Sequence, residues 1–320
     1  VKAAVVHRYG PPEEVAIVEV PIPQPGQGEV VVRVEAVAVT SGDARMRAGR
    51  FPAGFGVLAR LGLGMRGPRR RVLGGSLSGV VVGVGAEVAG LAVGDEVAGM
   101  SGALGAHAQY VAVPAARMVP KPAGITHAEA AGVLFGGTTA LYFLRDRAGL
   151  RAGQTALVNG ASGSVGSAAV QLAKVMGADV TAVTSATNAA VVTRWGADRV
   201  VDYSQTPVSR LTGTYDVMFD AVGNVSRSEG LRLVSQEGAL VLAVAGLWDT
   251  LRARGRVHAG PAPERPEDFA YLLALVAERR LDPAVEEFEG LGRLPEAYRR
   301  VDSGRKVGNL VLIPEPNEAG

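Results

Sequence analysis

The chain has no cysteine among its 320 residues. That excludes a disulfide framework, a thiolate nucleophile and any cysteine-ligated zinc. Histidine is scarce too. His7, His107, His127 and His258 are the only four, and none pairs with another at metal-ligand spacing, so no metal is expected. Aromatic residues make up 5% of the chain and no basic stripe interleaves with them, which argues against nucleic-acid binding. The cluster Arg66, Arg69, Arg70 and Arg71 is short and reads as a solvated loop. Lysine is rare: Lys2, Lys121, Lys174 and Lys306 are four of 33 basic residues, and the formal net charge is only +2. Uncharged stretches such as Ala152 to Ala173 are broken by Gly, Ser, Asn and Gln, so they read as folded core and not as a membrane span. The first residues form a strand-like run without a signal-peptide pattern. A soluble, cytoplasmic protein is expected, with neither membrane nor nucleic acid as partner.

Glycine is plentiful, at 43 residues, and 48% of the chain is hydrophobic. The most informative segment is Leu157-Val158-Asn159-Gly160-Ala161-Ser162-Gly163-Ser164-Val165-Gly166. An apolar run feeds a turn of small residues, and a helical pattern follows in Val165, Ala168, Ala169, Leu172, Ala173 and Met176. A second apolar run, Val180 to Val183, comes after Gly177. Strand, glycine turn, helix and strand in that order bring backbone and a helix N-terminus up to a pyrophosphate. The pattern is A-x-G-x-x-G, because Ala161 stands where the first glycine is usual. An ordinary strand-to-helix turn of another α/β protein is the alternative.

Around this segment the pattern changes once. Residues 1 to about 118 are β-rich, with β-branched runs punctuated by Pro21, Pro23 and Pro25. Within them, 51 to 73 reads as a helical piece broken by glycines, either a mobile flap or a plain surface loop. Val119-Pro120-Lys121-Pro122 marks the change. Thr126 and Glu129 then form a capping box, and a second helix is expected from Thr138 to Ala148. Beyond it, helix and strand alternate, which predicts a parallel, doubly wound sheet. The final strand, Asn309 to Ile313, is expected to rejoin the first domain.

These pieces resemble the medium-chain dehydrogenase/reductase superfamily, on its zinc-independent, quinone-oxidoreductase-like (zeta-crystallin-like) branch. The carriers are Leu73 to Val81, Val93-Gly94-Asp95-Glu96-Val97, Val119 to Pro122, Asn159 to Gly166, Val170-Gln171-Leu172-Ala173-Lys174, Gly196-Ala197-Asp198 with Val201-Asp202-Tyr203, and Ser303-Gly304-Arg305-Lys306. The resemblance implies an α/β protein with a GroES-like β domain over 1–118, completed by about 285–320. It implies a Rossmann dinucleotide-binding domain over 119–284, with the active cleft between the two, and a homodimer. Zinc members carry Cys where Thr40 stands and His where Gly75 stands. Many zinc-free relatives carry Tyr at Phe51, Asn at Thr40 and an acid at Ser76.

The resemblance implies cofactor contacts from Asn159, Gly160, Ser162, Gly163, Ser164, Val165 and Gly166. It adds Thr184, Ser185 and Asn188 at the next strand end, then Tyr203, Val222, Gly223, Val244, Ala245, Gly246 and Asn309. No acid stands at that strand end to hold a ribose 2′-hydroxyl, which favours NADPH over NADH. The family's usual cation is missing at Thr187 or Asn188, and Arg194 is a substitute or a solvated helix residue. The implied reaction is hydride transfer to a quinone or an α,β-unsaturated carbonyl. Thr40, Asp43 and Ser76 are the catalytic candidates, Asp43 being equally readable as a turn cap. Phe51, Thr139 and Tyr142 are candidates for the substrate pocket. The alternatives are an NADPH-binding protein without turnover, acting as redox sensor or scaffold, and a specialised biosynthetic enoyl or ketone reductase.

Overall fold

The computed structural model describes residues 1–315; the last part of the expected 285–320 return, 316–320, lies outside the described residues. In chain order the elements are β1 (Lys2–Val6), β2 (Val15–Glu19), β3 (Glu29–Val39), α1 (Ser41–Ala48), α2 (Gly56–Leu63), β4 (Ser76–Val84), β5 (Glu96–Met100), β6 (Tyr110–Pro114) and β7 (Met118–Pro120). There follow α3 (His127–Leu141), β8 (Thr155–Asn159), α4 (Ser164–Val175), β9 (Asp179–Thr184), α5 (Ala189–Arg194), β10 (Arg199–Asp202), β11 (Tyr215–Asp220), α6 (Arg227–Arg232) and β12 (Val234–Leu242). The chain ends with α7 (Leu247–Leu251), β13 (Val257–Ala259), α8 (Pro266–Ala277), β14 (Val285–Glu289), α9 (Leu294–Asp302) and β15 (Asn309–Ile313).

Two sheets carry the architecture. The β-rich sheet runs β14-β15-β3-β4-β5-β7, with β6 paired to β3. Its centre, β3, is rich in Val and Ala, all of them buried, and is interrupted by Glu29, Arg33 and Glu35. The C-terminal strand returns to it: β15 pairs antiparallel with β3 and parallel with β14. The second sheet runs β10-β9-β8-β11-β12-β13 and is parallel throughout. Its strand order reverses between β8 and β11, the crevice in which a doubly wound fold binds its ligand.

Helix α3 joins the halves. It packs on α4 and α8 and also on β3, β4 and β15. Its capping box forms as the sequence predicts, with Thr126 accepting from Glu129 N. The expected second helix at Thr138 does not start there. α3 runs on to Leu141 and continues without a break as a π-helical turn over Tyr142–Arg147. Gly136 and Gly137, just before Thr138, are contact points. A Cβ on Gly136 would stand 2.4 Å from Ser164 O, and one on Gly137 would stand 2.9 Å from Leu272. The 51–73 segment is tied at both ends: Leu247 N donates to Ala53 O at 2.8 Å, and Tyr9 Oη donates to Gly64 O at 2.7 Å. Among the described residues no helix is long and apolar enough to cross a membrane.

Candidate active site

The glycine turn begins where β8 ends. Gly160 takes φ +77°, a conformation open to glycine, and both Gly160 N and Ala161 N donate to Val183 O at 3.1 Å. Asn159 points across the switch point and donates to Asp220 Oδ1 at 2.8 Å and to Asn224 Oδ1 at 2.7 Å. The buried Asp220 carboxylate also accepts N–H groups from Val222, Gly223 and Val225. These bonds fix the two loops that face each other over the sheet.

Gly163 is the N-cap of α4 and makes no side-chain cap, so the first-turn N–H groups of α4 are left to face a ligand. Two glycines of the motif serve different ends. A Cβ on Gly166 would stand 2.1 Å from Gly160 O, so its bareness is needed by the turn itself. A Cβ on Gly163 would meet nothing closer than Gly160 O at 3.6 Å, so its bareness leaves room in the cleft.

The cleft has a volume of about 1580 Å³ and lies between the two sheets. It is lined by Asn159, Gly160, Ser162, Gly163, Ser164, Val165 and Gly166, by Thr184, Ser185, Thr187, Asn188 and Tyr203, and by Val222, Gly223, Val244, Ala245 and Gly246. Phe51, Thr139, Phe135 and Met100 line it from the β-rich side and α3. At its nucleotide end, Ser162 Oγ accepts from Thr184 Oγ1 and from Asn188 Nδ2, both at 3.0 Å. No carboxylate lines that corner, and Arg194 does not line it either. These are groups that fit a phosphorylated dinucleotide: free helix N–H groups, small hydroxyls, an amide and a bare glycine.

Five of the residues singled out in the sequence stand off this lining. Thr40 is the N-cap of α1. Its hydroxyl donates to Asp43 Oδ2 at 2.6 Å and accepts from Asp43 N at 3.1 Å. Asp43 closes that capping box from a buried position, and its Oδ1 accepts from Gly74 N at 3.1 Å. Ser76 is buried on β4 with its Oγ unpartnered. Tyr142 packs edge-on against Phe143, ring centroids 5.1 Å apart, with the Arg265 guanidinium over its ring. Asn309 accepts from Ser164 Oγ and donates to Pro283 O at 2.6 Å, so it braces the first turn of α4.

The cleft also takes in cations that the sequence did not assign to the site. Arg45 and Arg50 line the cleft from α1 and just beyond it, and Arg305 and Lys306 line it from the loop before β15. That loop is held to the glycine turn, because Gly308 N donates to Ser162 O at 2.8 Å. Burial pushes the Lys306 amine down to about 8, offset in part by Glu286. The segment Ser303 to Lys306 was legible as a family match, but its position against Ser162 depends on the whole chain path.

Among the described residues no group of three or more His, Cys, Asp and Glu is placed to hold a metal. Thr40 and Gly75 stand where zinc members keep ligands, and neither side chain is a zinc donor set.

A family described as alcohol dehydrogenase GroES-like domain matches residues 26–123. A second, described as zinc-binding dehydrogenase, matches residues 195–312. A quinone oxidoreductase from Pseudomonas aeruginosa is 30% identical over 96% of this chain and 97% of its own. An NADPH-dependent alkenal/one oxidoreductase from the chloroplast of Arabidopsis thaliana is 34% identical over 92% of this chain and 74% of its own. The chain also matches a spectinabilin polyketide synthase protein from Streptomyces orinoci at 35% identity over 77% of its length, but it spans only 12% of that protein. A mycobacterial protein solved in complex with NADPH superposes with a TM-score of 0.80 at 27% identity, covering 98% of this chain and 99% of that one. With both halves matched in order and this cleft between them, the chain belongs to the medium-chain dehydrogenase/reductase superfamily, on its quinone-oxidoreductase branch.

Proposed function

We infer that the protein is an NADPH-dependent oxidoreductase that reduces a quinone or an α,β-unsaturated carbonyl. The observation that carries this is the cleft itself. Its nucleotide end offers N–H groups and small polar side chains without a competing carboxylate, and its other end is walled by Phe51, Phe135 and Met100. NADPH, when bound, supplies the hydride. The chain's own work is to hold and orient. The α4 N-terminus and the Ser162–Thr184–Asn188 group take the phosphates, Val244 to Gly246 flank the nicotinamide half, and the apolar wall keeps water from the acceptor. A conjugated acceptor needs only modest hydrogen bonding at its oxygen, which suits a site without a metal-ligand set. Thr40, Asp43 and Ser76 enter this proposal as residues that set the shape of the α1–β4 corner beside the acceptor.

A fluorescence titration with NADPH and separately with NADH tests the cofactor half. NADPH should bind at least about tenfold tighter, a difference of about 1.4 kcal/mol. Equal affinities would remove the 2′-phosphate reading, and no binding of either would remove the reductase. Steady NADPH consumption with a quinone or enone separates an enzyme from a binder without turnover.

The match to a polyketide synthase protein favours one second reading, a specialised biosynthetic enoyl or ketone reductase. Product analysis on conjugated acceptors against quinones decides between them. The proposal extends to a cytoplasmic homodimer joined at the open β13 edge of the parallel sheet, beside the exposed Trp248 and Leu251. Light scattering that gave the mass of one chain would remove the dimer.

A further inference from the structure

The α1 wall of the cleft carries more positive charge than its acids balance. Arg45 and Arg50 line it from α1 and just beyond, and Arg305 and Lys306 line the cleft from the loop before β15. Asp302 is the acid among them, and it is shared: its carboxylate accepts from Arg50 and from the buried Arg47. Arg45 forms no ion pair among the described residues. The two other acids on the lining do not serve it. Glu264 pairs with Arg117, and Asp249, on α7, makes no ion pair with Arg45. Burial first, and then the neighbouring charge of Arg50, push the Arg45 guanidinium down from its ordinary value.

A guanidinium drawn partly out of water without a counter-ion is costly, and the cost is recovered when an oxyanion docks on it. Carboxylate and phosphate fit that fork in bidentate fashion. The phosphates of the dinucleotide have partners elsewhere, at the α4 N-terminus, at Ser162 and Asn188, and near Lys306. Arg45 instead shares its wall with Phe51 and Ala44, on the side of the cleft that the β-rich sheet supplies.

We propose that Arg45 binds an acidic group, a carboxylate or a phosphate, on the electron acceptor, so that the site selects anionic enones or quinones over neutral ones. The inference rests on the reductase reading above and adds a substrate class to it. In the reaction the acidic group is a handle and changes no bond.

The test uses trans-4-oxo-2-pentenoate and its methyl ester with NADPH, on the native protein, Arg45→Gln and Arg45→Lys. The native protein should favour the acid over the ester by about tenfold in kcat/KM, as for one charge-assisted contact. Arg45→Gln should abolish that preference, Arg45→Lys should keep part of it, and the NADPH dissociation constant, measured by fluorescence, should stay within about twofold. The same acid-to-ester ratio in native and Gln proteins would overturn the proposal. So would a loss in Arg45→Gln matched by weaker NADPH binding, which would assign Arg45 to the cofactor phosphates. A parallel arm needs no turnover: calorimetric binding of 4-oxopentanoate to the NADP⁺-loaded protein. Binding to the native protein and not to Arg45→Gln would support the acid site even where no acceptor is reduced and the reductase reading has failed. Equal binding to both would overturn it.

Discussion

Lys306 shows at residue scale how charge is placed where the strand end lacks it. The strand end offers Ser185, Thr187 and Asn188, none of them a cation. Lys306 lines the same cleft and donates to Gly308 O at 2.7 Å, and Gly308 N in turn donates to the backbone carbonyl of Ser162, the residue whose hydroxyl Thr184 and Asn188 share. Its amine is pushed down to about 8 by burial, with Glu286 opposing and Arg300 adding to the shift. Below that value the amine is charged and attracts phosphate; above it the charge is lost. NADPH affinity should therefore fall as pH rises through about 8. Lys306→Met should weaken NADPH binding about tenfold at pH 7, as expected for one lost charge-assisted contact, and should flatten the profile. A Met variant with an unchanged pH profile would show that Lys306 does not face the nucleotide. Sequence alone located the glycine turn and the strand end, because both are local patterns. Lys306 and Arg45 were not legible as site residues: a cation's place in a cleft is set by which segments meet across it.

At the scale of elements, the glycine turn makes a paired prediction. Gly163 sits at φ −79°, ψ 175°, which any residue adopts, and a Cβ there would enter open cleft. Gly163→Ala should change folding stability by no more than about 0.5 kcal/mol, as at an unconstrained site, while weakening NADPH binding. Gly166→Ala drives a Cβ to 2.1 Å from Gly160 O and 2.9 Å from Ala161 Cα. It should cost about 1–3 kcal/mol of stability, the usual penalty of overpacking. Urea unfolding and NADPH titration of both variants check the pair. If both lost stability equally, the division of labour between the two glycines would be wrong. The same contrast explains what the sequence could tell of the elements. Strand, turn and helix around Gly160 follow from periodicity, and so do α8 and α9. Helix α1 is short and polar, and its one local signal is the Thr40–Asp43 capping box, legible in sequence only as a turn cap at Asp43. β13 spans Val257–Ala259 and exists by pairing with β12, so nothing local announces it. The continuity of α3 past Thr138 is likewise not local: Gly136 and Gly137 let α4 and α8 approach it.

For the molecule as a whole, the return of the C-terminal segment to the first sheet depends on buried polar groups. Arg47 on α1 lies over the Tyr298 ring of α9, 5.0 Å from its centroid, and donates to Asp302. His107 lies against the same tyrosine, with its Nδ1 3.4 Å from Tyr298 Oη and its Nε2 3.3 Å from Ala38 O. Burial lowers the His107 ring from its ordinary 6.5, with the charge of Asp43 opposing the shift. His127 and His258 are also lowered, in both cases mainly by burial. The unfolded chain binds protons near pH 6.5 that the folded chain refuses, so stability is full above that value and is lost as pH falls below it. Each such histidine adds a slope of up to about 1.4 kcal/mol per pH unit. The window lies above the range where carboxylates protonate, so the loss from histidines can be seen separately. Urea midpoints taken between pH 7.5 and pH 5.5 should fall steadily, and His107→Gln should flatten the fall by one proton even where it lowers stability at pH 7.5. An unaltered slope in that variant would mean that His107 opens to water before the fold gives way, and that the join between α9 and the first sheet is held by the Arg47–Asp302 pair and not by the neutral ring.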